Sequence, residues 1–254
     1  MARAAGEPDL TERCSMSTDE LEAQLAAAAL AAGNPTGWFD QLYAAGEEGR
    51  VAVPWSRTQA HSLLAAWACA NASRACGDEA VVVGCGLGAD AEYLSSLGFA
   101  TTAFDISPAA IRLARRRHPH SDVEYTTANL LNPPPQWRRA FDLVVEIITV
   151  QALPAPYRND AIANVGRLVA AGGTLLAIEQ APAATGTTRR LPPWPLRRDE
   201  MEHFAADGLD IIAIDTVPLP AQPDERCWVA RLARPATSAD EGSSGSSGQP
   251  PEQA

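Results

Sequence analysis

The 254-residue chain contains no lysine. A catalytic Tyr/Lys pair of the kind a nicotinamide-dependent oxidoreductase would use therefore cannot be assembled from it. Its five cysteines (Cys14, Cys69, Cys76, Cys85 and Cys227) form no CxxC pair. An odd, dispersed set reads as reduced thiols and leaves a metal site without support. No apolar run is long enough to cross a bilayer. Leu21 to Ala32 comes nearest, but it is short, alanine-rich and interrupted by Glu22 and Gln24. Met1 to Ser17 carries acids and a proline where a signal peptide needs a basic start and an apolar run. Basic charge is scarce as well: 20 basic residues face 31 acidic ones, for a net charge of −11. Such a surface repels phosphate backbones and anionic headgroups. Nucleic acid and membrane surfaces are thus not expected partners, and a cytoplasmic protein acting on a small molecule is.

What is present is core-forming material. With 46% apolar residues, the chain can bury one sizeable core, and its length suits one α/β domain better than two. Residues 1–17 and 235–254 are polar or Ser/Gly/Pro-rich and are expected to be disordered tails. Residues 18–78 read as an N-terminal helical region. It has a helix start at Thr18-Asp19-Glu20, a stop at Gly33, and a second helix over about 57–71 with Leu63, Leu64 and Trp67 on one stripe. From 79 to 234 strands and helices alternate. Strands are expected at Ala80–Gly84, Ala100–Asp105, Val123–Thr127, Phe141–Ile148 and Thr174–Ile178. Helices are expected at Ala89–Leu97, Pro108–Arg117 and Tyr157–Val169. Repeated βα units with apolar strands argue for a parallel sheet covered on both faces. A short helix at Asp199–Ala206 then precedes two β-rich runs, Leu209–Val217 and Arg226–Ala233. A loop over Pro218–Glu225 would make them an antiparallel pair.

The chemistry concentrates at the strand ends. Val83-Gly84-Cys85-Gly86-Leu87-Gly88-Ala89-Asp90 is a strand running through a glycine turn into a helix. Glycines allow a sharp turn and let a ligand approach the main chain. The pattern fits both GxGxG and a dinucleotide-type GxGxxA. Asp105 ends the next strand, about 20 residues on, where an acid accepts hydrogen bonds from both ribose hydroxyls. Ser107 is better placed than Asp105 to cap the following helix. After the third strand, Asn129 offers either an amide oxygen to an adenine amino group or an ordinary turn former. Together these features indicate a nucleoside ligand without separating S-adenosylmethionine (SAM) from NAD.

Taken together, residues 81–180 resemble class I SAM-dependent methyltransferases. The likeness lies in the glycine loop, Phe104-Asp105-Ile106-Ser107-Pro108, Ala128-Asn129-Leu130, Phe141-Asp142-Leu143-Val144-Val145-Glu146 and Gly172-Gly173-Thr174-Leu175-Leu176. Trp38-Phe39-Asp40-Gln41-Leu42-Tyr43, Val53-Pro54-Trp55 and the loop through Asp90-Ala91 resemble, more narrowly, the thiopurine, halide and thiol methyltransferase-like branch. The likeness spans about residues 35–234. It implies a Rossmann-like sheet of seven strands, mostly parallel, with a terminal antiparallel hairpin and helices on both faces. It also implies SAM as cofactor. Gly84, Cys85, Gly86 and Gly88 would lie against the methionine part, Asp105 would hold the ribose, and Ile106 would lie against the adenine. Asn129 and Leu130 would address the adenine edge. Glu146 would meet the methionine amino group or the substrate, unless it is simply a strand-end acid facing water. Trp38 and Trp55 would form part of a lid, unless they are plain packing.

Thiols and other soft anions need little help as methyl acceptors, because a thiolate fraction exists near neutral pH. Hydroxyls and amines ask for a base. Of the four histidines, His118 and His120 read as solvated; His61 and His203 are the candidates for that role. The loop 180–198 holds Arg189, Arg190, Pro192, Pro193, Trp194, Pro195, Arg197 and Arg198. It reads either as a substrate mouth or as a solvated loop. A nicotinamide-dependent oxidoreductase and a non-catalytic SAM-binding protein stand as alternatives.

Overall fold

Ser17 opens the described chain by capping a helix. Its hydroxyl accepts from the backbone N–H of Glu20, and the Glu20 carboxylate reaches back to the Ser17 N–H. The computed structural model describes residues 17–71, 77–183, 192–219 and 222–236. Helices α1 (Thr18–Ala31), α2 (Gly37–Glu47) and α3 (Ser62–Asn71) precede the sheet. Strands β1 (Glu79–Val83), β2 (Ala100–Asp105), β3 (Glu124–Thr127) and β4 (Phe141–Ile147) are joined by α4 (Ala89–Ser96) and α5 (Pro108–Arg117), with a loop and a short 3-10 turn before β4. Helix α6 (Ala155–Leu168) leads to β5 (Val169–Gln180). Helix α7 (Arg198–Glu202) precedes β6 (Asp210–Leu219) and β7 (Gln222–Ala233).

The seven strands form one sheet in the order β3-β2-β1-β4-β5-β7-β6. The first five are parallel, and β7 runs antiparallel to both β5 and β6. This is the expected Rossmann-like sheet with its terminal hairpin. Alternation along the strands sends Val81, Val83, Val144, Leu175 and Ala177 into a core under α6 and α7. Val82, Leu143, Val145, Leu176 and Ile178 enter a second core with α3, α4 and α5. Both faces are therefore apolar, as parallel strands require. No helix among the described residues is long and apolar enough to cross a membrane.

Several local expectations differ from what is observed. The helix expected over about 57–71 begins only at Ser62. Strand β5 begins at Val169, not Thr174, because the Gly172-Gly173 pair makes a bulge within one long strand. Val169 pairs with Phe141 across a register shift. A Cβ on Gly173 would sit 3.0 Å from the carbonyl oxygens of Phe141, Asp142 and Ala170, so only glycine lets the strands close there. The expected loop 218–225 is largely strand, since β6 is the sheet edge and tolerates Pro218 without losing a ladder bond. Residues 35–47 also hold a helix, α2, not read from the sequence. It buries Trp38, Leu42, Tyr43 and Ala45 on one stripe.

Polar ties fix the N-terminal helices on the sheet domain. Asp40 Oδ1 accepts from the Ser107 hydroxyl at 2.6 Å and from the Ala109 N–H at 2.9 Å, while Ser107 Oγ accepts from the Ala110 N–H at 3.1 Å. Ser107 thus caps α5, as expected, with Asp40 as its partner. Further along α2, Glu47 pairs with Arg112 and Arg116. Arg117 donates to the Arg57 carbonyl and to Ser56 Oγ. The Arg115–Arg117 run, in the last turn of α5, complements the helix dipole and stitches α5 to β3 and the lid.

Candidate active site

The sheet reverses its winding between β1 and β4, and the ligand crevice of such sheets lies beyond the strand C-termini at that point. Here the crevice is a cavity, partly open to solvent, walled by the glycine loop, the ends of β2 and β4, the start of the loop after β3, and the N-terminal helices.

The glycine loop leaves β1 with positive φ at Gly84 (+62°), Gly86 (+53°) and Gly88 (+91°). A Cβ on Gly84 would lie 2.3 Å from Thr149 Oγ1, and one on Gly86 would lie 2.9 Å from the Tyr43 hydroxyl. The loop is therefore pressed between the floor after β4 and the aromatic cluster of the N-terminal helices. Gly88 differs. It is the N-cap of α4, its Cβ would meet Tyr125 Oη at 2.2 Å, and it does not line the cavity. It packs behind the wall, against Tyr125.

Asp105 ends β2 with its carboxylate on the wall. Oδ2 accepts from the Gly86 N–H at 3.0 Å and Oδ1 from the Ser107 N–H at 2.9 Å. Burial outweighs these bonds and raises its pKa to about 6. Each oxygen retains acceptor capacity for a ligand hydroxyl. Ile106, Asn129 and Leu130 also line the cavity. Asn129 Oδ1 already accepts from the Leu131 N–H at 2.9 Å, so Asn129 is a turn former on the cavity wall, with its amide nitrogen uncommitted to that turn.

Opposite the loop stands an aromatic wall. Trp38 and Phe39 stack at 4.0 Å, and Trp55 meets Trp38, Phe39 and Tyr43 edge-on at 5.8–6.1 Å. The indole N–H of Trp55 donates to Tyr43 Oη at 2.6 Å. Burial and the nearby Asp105 charge hold the Tyr43 hydroxyl protonated well above the usual range, so its own O–H is preserved as a donor. Beside it, Arg57 clamps Asp90 in the first turn of α4, with contacts of 2.7 and 3.3 Å. Asp90 also accepts from the His61 N–H at 2.7 Å.

The floor comes from the segment after β4. Ile148 has φ +56°, a strained conformation for a β-branched residue, costing about 1–3 kcal/mol. Thr149 Oγ1 donates to the Val83 carbonyl at 3.1 Å. Glu146 lies fully buried beneath this segment and does not reach the cavity. Its Oε1 accepts from the N–H groups of Thr149 at 2.8 Å and Val150 at 2.9 Å. Glu146 therefore supports the floor from behind, and the reading of it as a strand-end acid facing water is corrected by its full burial.

Eight of the ten expected residues (Trp38, Gly84, Cys85, Gly86, Asp105, Ile106, Asn129 and Leu130) share the cavity wall. Tyr43, Arg57, Asp90, Ile148 and Thr149 join them there without having been assigned a role from sequence; Tyr43 and Asp90 stand inside the branch-like motifs. None of the four histidines lines the cavity. His61 instead accepts from the Leu63 N–H through Nδ1, and burial lowers its pKa. The 180–198 loop contributes Pro192 and Pro193 to the wall. Arg197 and Arg198 pair with Asp199 and Glu202 on their own helix, and Trp194 packs on Arg158. Arg189 and Arg190 lie outside the described residues, as do Cys14, Cys76 and nearly all of both tails.

Residues 81–175 match a methyltransferase domain model. No curated protein sequence matches the chain. Among solved structures, the N-methyltransferase NodS from Bradyrhizobium japonicum, in complex with S-adenosyl-L-homocysteine (SAH), superposes with a TM-score of 0.55 at 24% identity, over 69% of this chain and 85% of that one. A TehB-like SAM-dependent methyltransferase from Corynebacterium glutamicum gives 0.54 at 20%, over 77% and 98%. A structure solved for the conversion of a disulfide bond into a thioacetal group during echinomycin biosynthesis gives 0.62 at 20%, over 78% and 94%. The matched domain covers β1 through the centre of β5, the strands from whose ends the crevice is built. The chain thus has the fold of these methyltransferases and carries a methyltransferase domain over residues 81–175.

Proposed function

We propose that the cavity holds SAM and that the enzyme methylates a small molecule through a thiol or another soft nucleophile, in the manner of the thiopurine, halide and thiol branch. The fit of the cofactor rests on the cradle. Gly84 and Gly86 let the loop turn between Thr149 and Tyr43 with its main chain on the cavity wall, Asp105 presents buried acceptors for a ribose diol, and Ile106 offers an apolar contact for a base. Arg57 and the Tyr43 hydroxyl supply a cation and a donor for the methionine carboxylate. The aromatic faces of Trp38 and Trp55 suit a sulfonium. When bound, SAM supplies a methyl carbon already activated by sulfonium charge. The residues then need to align the acceptor and exclude water. Trp38, Phe39 and Trp55 close one side; Ile148, Leu153, Pro192 and Pro193 give the acceptor end an apolar lining.

One observation carries the preference for a soft acceptor. Among the described residues, the titratable groups on the wall are Glu22, Tyr43, Arg57, Cys85, Asp90 and Asp105. Asp90 is held by Arg57, Asp105 by two backbone N–H groups, Glu22 is engaged in an interaction of its own, and Tyr43 and Cys85 are kept protonated by burial. Such a wall suits an acceptor that brings its own anion. The sulfur chemistry in which the echinomycin-related neighbour takes part agrees with that preference. Calorimetric titration with SAM and NADH is expected to show binding of SAM alone; NADH binding without SAM binding overturns the cofactor. A radiolabelled-methyl screen over thiols, halides, phenols and amines tests the acceptor. Reaction confined to phenols or amines overturns the soft-nucleophile preference.

A further inference from the structure

Glu146 and Glu179 occupy neighbouring parallel strands, in the register Glu146↔Ala177 and Ile147↔Ile178. Glu179 is therefore two residues past the partner of Glu146, on the same face, and the two side chains meet beneath the cavity floor. Both are fully buried. Each commits one oxygen to the segment that forms the floor: Glu146 Oε1 takes the N–H groups of Thr149 and Val150, and Glu179 Oε1 takes the N–H of Gln151 at 3.2 Å. The second oxygens, Glu146 Oε2 and Glu179 Oε2, are inaccessible and receive no donor from any other group among the described residues. The two carboxyl groups are within side-chain hydrogen-bonding reach of each other.

Two ionised carboxylates in that arrangement would repel at short range with no water between them. A single proton removes the repulsion and satisfies both orphaned oxygens with one O–H···O bond. We propose that Glu146 and Glu179 act as a proton-sharing pair that positions residues 148–151, and that loss of the shared proton loosens the cavity floor. Burial acts in the required direction on both groups. Glu146 is raised to about 7, while burial and its neighbour's charge push Glu179 well above the ordinary carboxyl range. The pair therefore keeps its proton at neutral pH, with Glu179 as donor to Glu146. The charged group facing it is Arg158 on α6, itself tied to Glu200 on α7 at 2.8 Å. Gln151 and Gln180, hydrogen-bonded to each other above the pair, are neutral. Because the folded-state proton is held more tightly than an ordinary carboxyl would hold it, the ordered floor is present at low and neutral pH and lost as pH rises through the release of that proton.

The ligand used in one arm of the test rests on the SAM reading; the other arm does not. Infrared spectroscopy of the ligand-free protein at about pH 8, where Asp105 is ionised, is expected to show the carbonyl stretch of a protonated carboxylic acid. Glu179→Gln is expected to remove that band while keeping the fold, since its amide donates to Glu146 without titrating. In calorimetry, SAH affinity of the unaltered protein is expected to fall at alkaline pH, roughly tenfold for each pH unit beyond proton loss. That fall disappears in Glu179→Gln. Glu179→Ala, which leaves the Gln151 N–H unpartnered, weakens affinity across the whole range. Absence of the band, its persistence in Glu179→Gln, or an identical alkaline fall in both proteins overturns the pair. Failure of SAH to bind the unaltered protein at any pH overturns the proposed function, and the infrared band still decides the pair.

Discussion

Replacing Asp105 by asparagine separates what that residue does for the fold from what it does for a ligand. In the fold its carboxylate accepts two backbone N–H groups, from Gly86 and Ser107. Asparagine keeps one carbonyl oxygen and turns an NH2 toward the other donor, losing about 1.5–3 kcal/mol of charge-assisted bonding. Against this stands the cost of the buried charge. A carboxyl raised from 3.8 to about 6 is more easily protonated folded than unfolded. Its ionisation therefore works against the fold increasingly as pH rises from 3.8 to about 6, and fully above that. At neutral pH this penalty is about 3 kcal/mol, at ~1.4 kcal/mol per pH unit. Removing the charge offsets the lost bond, so Tm is expected to move by no more than about 4 °C either way. The ligand sees only the loss. Two ribose hydroxyls deprived of an ionised acceptor cost about 2–3 kcal/mol, or roughly 30- to 150-fold in SAH affinity. In the unaltered protein the same affinity should be about tenfold weaker at pH 5 than at pH 7, as Asp105 becomes protonated; that dependence vanishes in Asp105→Asn. Scanning fluorimetry and calorimetry on the two proteins suffice. An unchanged SAH affinity refutes the ribose role, and an unfolded variant refutes the balance of bond against burial.

Gly86→Ala and Gly88→Ala should behave oppositely in a paired urea-unfolding and SAH-binding experiment. Both pay about 1–2 kcal/mol for left-handed backbone, but Gly88→Ala also drives a methyl into Tyr125, whose hydroxyl is fixed on Glu92 at 2.6 Å. It should lose the more stability and, where folded, bind within about threefold of normal, whereas Gly86→Ala should weaken binding at least tenfold by narrowing the gap to Tyr43; the reverse order contradicts the assignment of Gly88 to packing. Asp40→Ala removes the acceptor for the Ala109 N–H and the Ser107 hydroxyl. It should cost about 1–2 kcal/mol in urea unfolding and weaken SAH binding through the displaced lid, with Asp40→Asn recovering part of both; full binding in Asp40→Ala would show that the lid does not depend on this tie.

The sequence displays what local pattern encodes. Apolar, β-branched runs such as Val81-Val82-Val83, bounded by turn residues, read as strands buried on both faces, and the glycines between β1 and α4 announce a turn that a ligand approaches. Ser107 before Pro108 announces a cap. The residues behind the wall are a different matter. Gly88 and Glu146 stand in the right motifs at the right strand ends, yet Gly88 answers to Tyr125 and Glu146 to the backbone of Thr149 and Val150. Which side of the wall a motif residue occupies depends on contacts that spacing does not carry. Likewise Arg116 and Arg117 read as dipole partners of α5. Their hydrogen-bonding partners, Glu47 for the first and Ser56 and the Arg57 carbonyl for the second, lie 60 or more residues away.

Those distant partners explain how the separate N-terminal helices, which we propose form a lid, are brought to register with the cavity. Asp40 meets the N-terminus of α5 immediately after Asp105 and Ile106, and Arg57 meets the first turn of α4 immediately after the glycine loop. The same two loop-to-helix junctions that form the cradle also receive the lid. A shift of α4 or α5 therefore carries the aromatic wall with it, and the separation between Tyr43 and Gly86 is set by elements that begin at the ligand. The floor follows the same logic from the other side: Ile148 holds a costly backbone conformation because Glu146 and Glu179 fix the N–H groups that follow it. At Ile148, on the cavity wall, local preference is overridden beside N–H groups held by two buried carboxyl side chains.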